Sequence, residues 1–225
     1  MARRKVEDII NLVDSHYDST EPLRQRMDSD HNLYRLSAYD AGDGYQSYTS
    51  NEPQTYADKI IAWLADADKI FRIPPAGNPR NSRERNNDKE RFIIGAFKSA
   101  DERIIRRLQP SLQDQLSWYI ALRGWYAGRA LLDKAGDEST HVDITPWDPM
   151  HTYWGTDSEG IAWACYKVKK TRAEIETQYK VKLGEERIDE DGIDVYDFYD
   201  REDNFVAIPH RFIKKRTKHG GMCVP

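Results

Sequence analysis

The sequence predicts an α+β fold, helical over roughly its first 130 residues and mostly antiparallel β after that. Three observations carry this. Apolar residues recur at helical spacing up to about residue 130, and after Gly136 the period changes to an alternating one. No strand–helix–strand repeat is interleaved, which argues against βαβ units. The chain of 225 residues is 32% charged, yet its 11% aromatic content, with 13 Tyr and 6 Trp, suffices for a core.

Each element has its own signal. Residues 5–16 place Val6, Ile9, Ile10 and Val13 at helical spacing. A second, weaker helical stretch follows in "DSTEPLRQRMDSDHNLYRL", and "SAYDAGDGYQSYTSN" from Ser37 to Asn51 reads as a long loop whose tyrosines anchor it. In "TYADKIIAWLADADKIF", Tyr56, Ile60, Trp63, Leu64, Ala67 and Phe71 fall on one predicted inner face. Thr55 and Asp58 form a candidate capping box, and Pro74-Pro75 a stop. The Arg-rich "GNPRNSRERNNDKER" reads as a solvated loop.

A helix from about Asp88 to Leu108 turns Ile93, Ala96, Phe97, Ala100, Ile104 and Leu108 inward. Another opens with the capping box Ser111–Asp114 and carries Leu116, Tyr119, Ile120, Tyr126 and Ala130, with Gly124 and Gly128 clearing one face. Only Pro110 hinges them, so an αα-hairpin is expected. Candidate strands are 140–145, 160–169, 192–199 and 204–208, with "REDN" as a hairpin turn. Thr171 and Glu174 form a third capping box before a short helix.

Composition narrows the function classes. Net charge is −4, so no global positive field draws the chain to nucleic acid. No apolar run approaches the roughly 20 residues that span a bilayer, and "MARRKVEDIINLV" lacks the continuous apolar stretch of a secretory signal. Cys165 and Cys223 show no CxxC spacing, which suggests neither a disulfide framework nor a zinc ribbon and makes a reducing setting the default. No GxxxxGK[ST], GxGxxG or GxSxG motif is present. The end, "KHGGMCVP", is apolar where termini are usually solvated, so the chain is expected to be part of a longer product.

The densest stretch for chemistry is "DITPWDPMHTYWG", Asp143 to Gly155. His141 and Asp143 lie two apart on the predicted strand 140–145 and share a face, with Asp148 and His151 a turn away. Such a quartet suits one divalent metal in phosphodiester hydrolysis. Asp148 sits between Trp147 and Pro149, however, where an Asx-turn explains its carboxylate, and no second shell is recognisable. Structure is therefore favoured over a metal. Pro146 and Pro149 fix φ, and Trp147, Tyr153 and Trp154 offer faces to pin a corner against the helical layer. The acidic run 185–203 matches no calcium loop and reads as a solvated hairpin. It is followed by a basic cluster with Lys214, Lys215 and Arg216, a candidate subunit or DNA contact together with Arg80, Arg83 and Arg85.

Several segments, taken in order, resemble bacteriophage portal (head–tail connector) proteins. "SNEPQTYADKIIAWLADADKIFRIP" resembles their early Trp-containing helix after an Asn-Glu-Pro element. "YIALRGWYAGRALL", "VDITPWDPMHTYWG" and "GIAWACY" resemble the passage from a long helix into the β part of the wing. "IDVYDFYDRED" resembles a wing strand and turn, and "HGGMCVP" a turn that leads onward. The resemblance runs from about Asn51 to the last residue, and stem, clip and crown are absent from it.

It implies an organisation of N-terminal helices and loop over 1–50, the helical part of a wing over 51–135 and its β-rich part over 136–225. It also implies a non-enzymatic structural subunit of a closed ring, typically twelve-fold, at a capsid vertex in the virion. Double-stranded DNA passes through such a ring, and the major capsid protein, the terminase and head–tail adaptor proteins are partners. No catalytic residue, metal or cofactor is expected, and no membrane. Two other readings stay open: a metal-dependent nuclease or phosphoesterase using His141, Asp143, Asp148 and His151, and a helical DNA-binding adaptor using the Arg80–Arg91 segment.

Overall fold

The computed structural model describes residues 4–38, 41–74, 79–134, 140–184 and 192–219, with backbone alone for 79–84, 133–134 and 140–141. The chain is an α+β protein, helices first and β part after. Helices α1 (Val6–Ser19), α2 (Glu21–Tyr34), α3 (Glu52–Asp66), α4 (Pro79–Arg106) and α5 (Leu112–Arg123) come before strands β1 (Ala127–Lys134) and β2 (Thr140–Trp147). A 3₁₀ turn at Pro149–His151 leads to β3 (Thr152–Asp157) and β4 (Gly160–Lys170), and helix α6 (Arg172–Tyr179) precedes β5 (Ile193–Asp200), β6 (Asp203–Ile208) and β7 (Arg211–Lys218). Two compact units result. One comprises Met1–Arg26, Ala127–Leu131 and Trp147–Pro225, the other Met27–Tyr126 and Leu132–Pro146.

The first unit is built on an antiparallel meander in the order β3-β4-β5-β6-β7. Register fixes its faces. Cys165 pairs with Phe198 and Phe198 with Phe205, so these three share a face. Val6, Ile9 and Val13, three and four residues apart on α1, bury their stripe against that face together with Tyr153, Trp163 and Tyr196. The alternate residues Ile193 and Val195 point the other way and join Val206, Ile208 and Ile213, covered by Ile175 of α6. Thr171 caps α6, accepting the Glu174 N–H, as the sequence predicts. Gly155 stands opposite Trp163, and a Cβ there would overlap the Trp163 indole.

The second unit has a thinner core: Ala100, Ile104 and Leu112, with Phe97, Leu116 and Ile144 packed beside them. Both α3 and α4 pack on α5. Ser111 caps α5 by accepting the Asp114 N–H at 3.1 Å, and Asp114 returns a bond to the Ser111 N–H at 3.2 Å.

Four predicted features of this region are corrected. Helix α3 starts at Glu52, with Pro53 in its first turn, so Thr55 is interior and caps nothing. It ends at Asp66, before the prolines, so Phe71 lies beyond it. The polar "GNPRNSRERNNDKER" run is not a loop. From Pro79 onward it is the first turns of α4, because Arg, Glu and Lys are good helix formers and a polar helix need not reveal itself by apolar period. Helix α5 stops at Arg123, where Gly124 takes φ 79° and donates its N–H to Ile120 O at 3.1 Å. The stretch carrying Tyr126, Gly128 and Ala130 therefore lies outside the helix, and from Ala127 it is strand β1.

Candidate functional site

The corner from Trp147 to Trp154 is built from backbone outward. One unit ends at Pro146 and the other resumes at Trp147. Trp147 is 2% exposed, stacked flat on Tyr166 at 5.2 Å between ring centres and tilted on Tyr199 at 5.7 Å. Asp148 Oδ1 accepts the Met150 N–H at 2.9 Å, which is the Asx-turn, and its carbonyl accepts the Thr152 hydroxyl at 2.8 Å. Pro149 opens the 3₁₀ turn with φ already set.

The turn's remaining carbonyls are met from far away in sequence. Arg24 of α2, buried, donates Nη1 to Met150 O and Nη2 to Thr152 O at 3.2 Å, while its guanidinium lies 4.3 Å over the Tyr153 ring. His16 of α1 packs on Trp154 with ring centres 4.4 Å apart. Burial, reinforced by the Arg24 charge, lowers the His16 pKa from 6.5 to about 4. Tyr153 and Trp154 thus meet the first two helices, as expected of a pinned corner. Trp147 instead packs on the sheet, because its neighbours Tyr166 and Tyr199 project from one face of β4 and β5.

The proposed metal quartet is accounted for differently. Asp143 Oδ2 accepts the Thr145 hydroxyl at 3.3 Å, Asp148 closes its turn, and His151 is exposed. The His141 side chain is outside the described residues, and among those described no group of three or more His, Cys, Asp or Glu could hold a metal.

Of the acidic run, residues 185–191 also lie outside the described residues. The part that is described is a hairpin, β5 paired with β6, but its strands are largely buried and not solvated. Asp197 faces inward and accepts from Asn204 Nδ2 at 3.0 Å, from the Tyr199 hydroxyl at 3.3 Å and from Arg129 Nη1 at 3.4 Å. Burial raises its pKa, against the pull of Arg129 and Asn204. Arg129 comes from β1, a strand that was expected to be helix, so no sequence signal could pair it with Asp197.

The candidate basic contacts divide. Lys214 donates to Asn204 Oδ1 at 2.5 Å, and Arg216 pairs with Asp203 at 3.2 Å while lying over Phe205, so both are engaged within the unit. Lys215 is exposed. Arg85 is exposed on α4, and Arg80 and Arg83 lie on the same helix with side chains outside the described set.

The helical unit carries most of the exposed large apolar side chains among the described residues. Helix α3 buries no side chain, and the predicted inward residues Tyr56 and Trp63 are 68% and 73% exposed. Phe92, Ile105 and Leu108 are exposed as well, Leu108 at 97%, which corrects its expected inward place. A hollow of about 470 Å³ between α3 and α5 is lined by Ile61, Pro110, Trp118 and Tyr119 among others. Exposed apolar side chains gathered into one patch mark interaction surfaces. Among the described residues no helix is long and apolar enough to cross a membrane. Comparison of the chain with protein-family models and with curated proteins finds no match.

Proposed function

We propose that the chain is the wing portion of a phage portal subunit, a structural component of a closed ring at a capsid vertex. Double-stranded DNA would be packaged and ejected through the ring, and the capsid protein, terminase and head–tail adaptors would dock on it. The reading rests on the ordered motifs from Asn51 onward. In the structure, the observation that supports it is the apolar exposure of the helical unit, with Tyr56, Trp63, Phe92 and Leu108 lacking a core of their own. A ring subunit needs two different faces that are complementary to each other, and exposed Trp63 and Leu108 are the kind of side chain such an interface buries. The neutral-to-acidic balance also suits a channel in which DNA must slide rather than stick.

The test is particle mass by light scattering with negative-stain imaging. A closed ring that falls to monomers in Trp63→Ser/Leu108→Ser, with the fold unchanged by circular dichroism, is the expected result. A wild-type chain that stays monomeric at all concentrations would refute the proposal.

A further inference from the structure

The first unit carries a second surface that the ring reading does not use. A hollow of about 1240 Å³ lies between the start of α1 and the β6–β7 hairpin. Arg4 and Lys5 line it from the α1 side, and Arg211, Lys215 and Lys218 from β7. Three carboxylates, Glu7, Glu202 and Asp203, also border it, and Asp203 is taken by Arg216 at 3.2 Å. The balance is positive in a chain whose net charge is −4, so this is a local concentration of cations against the global field.

Two details specify the ligand further. Arg4 lies 5.2 Å from the Phe198 ring centre, and its Nη1 is buried with no hydrogen-bond partner among the described residues, a donor still lacking an acceptor. Phe212, 42% exposed, lines the hollow between the cations and is braced edge-on by Phe205 at 5.5 Å. Lysines on an edge strand do discourage strand addition. That role asks nothing of Arg4 and Lys5 on another element, nor of an open aromatic ring among them.

We propose that this hollow binds single-stranded nucleic acid, with backbone phosphates on Arg4, Lys5, Lys215 and Lys218 and an unpaired base stacked on Phe212. Cations that track a backbone beside an aromatic platform are the physical requirements for strand binding without sequence readout. The duplex offers phosphates but no free base face, so Phe212 would be unused. An acidic peptide offers charge with no ring to stack.

The experiment is fluorescence anisotropy of the full chain with labelled oligo(dT) of roughly ten nucleotides. Affinity should fall with salt at a log–log slope of about −2 to −3, from three or four phosphates at about 0.7 each. Lys215→Glu/Lys218→Glu alters two exposed side chains and should weaken binding at least tenfold with unchanged circular dichroism. Phe212→Leu should weaken oligo(dT) by about fivefold or more, the range of one lost stack, and leave competition by inorganic polyphosphate unchanged. Any of three results would overturn the proposal: no binding at low salt, a duplex of equal length or polyglutamate binding as tightly as oligo(dT), or wild-type affinity in either variant. Ring mass measured on the same samples is a separate readout, so failure here is distinguishable from failure of the ring.

Discussion

Replacing Trp147 by Ala tests the corner most directly. The indole is 2% exposed, stacked on Tyr166 and tilted on Tyr199, and bordered by Ala127, Leu131 and Ala164. A buried Trp withdraws about 150–250 Å² from water, which at about 25 cal/mol per Å² is roughly 4–6 kcal/mol. Because the neighbouring rings are held by β4 and β5, the site can collapse only partly, and core Trp→Ala changes cost about 3–5 kcal/mol. A loss of about 4 kcal/mol is therefore expected, a large share of the ~5–15 kcal/mol that holds a domain together. Trp147→Phe keeps one ring on Tyr166 and should lose less than half as much. Urea unfolding followed by near-UV circular dichroism reads both, and the slope m should not change. A Trp147→Ala loss below about 1.5 kcal/mol, with m unchanged, would refute the view that this residue anchors the corner.

Two further predictions follow from the same structure. His16 is held neutral at a pKa of about 4 against 6.5 when unfolded, so stability should decline as pH falls from 6.5 to 4 and level off below. The full displacement is worth about 3 kcal/mol, reduced by solvent access to about 1–2, and His16→Gln should abolish the slope in pH-dependent urea titrations. Gly124→Ala, at φ 79°, should cost about 1 kcal/mol, whereas Gly95→Ala, in the α4 interior with nothing within 4 Å of its Cβ position, should add about 0.5–1. Thermal unfolding separates the signs, and equal shifts would count against the assigned backbone roles.

Some of the local chemistry was legible in the sequence, though not the Thr55 position inside α3, and long-range pairing was not. The Ser111 and Thr171 capping boxes and the Asx-turn at Asp148 each need only a few consecutive residues, and each forms as its spacing predicts. Helix α4 escaped in its first turns because its signal there is propensity without an apolar stripe. At Gly124 the spacing to Gly128 suggests close packing, whereas its freedom to adopt positive φ is what ends α5 before β1. Strand β7 hid behind its charge, since of "RFIKKRTK" only Ile213 is buried. Arg24 and His16 stand more than 120 residues from the carbonyls and rings they hold, and no spacing rule spans that distance.

The corner's polar groups also bear on the choice between chemistry and structure. Asp148 accepts the Met150 N–H two residues on, and Arg24 donates Nη1 and Nη2 to the Met150 and Thr152 carbonyls. Those bonds fix how the chain enters β3 after Pro146–Trp147, where one compact unit gives way to the other. Removing Arg24's fork while keeping its stem, as in Arg24→Met, leaves the Met150 and Thr152 carbonyls without that donor. Substitution of Asp148 or Arg24 is therefore expected to register first as a loss of stability. Recognition is proposed to lie elsewhere, on the exposed helical side chains and in the basic hollow beside Phe212.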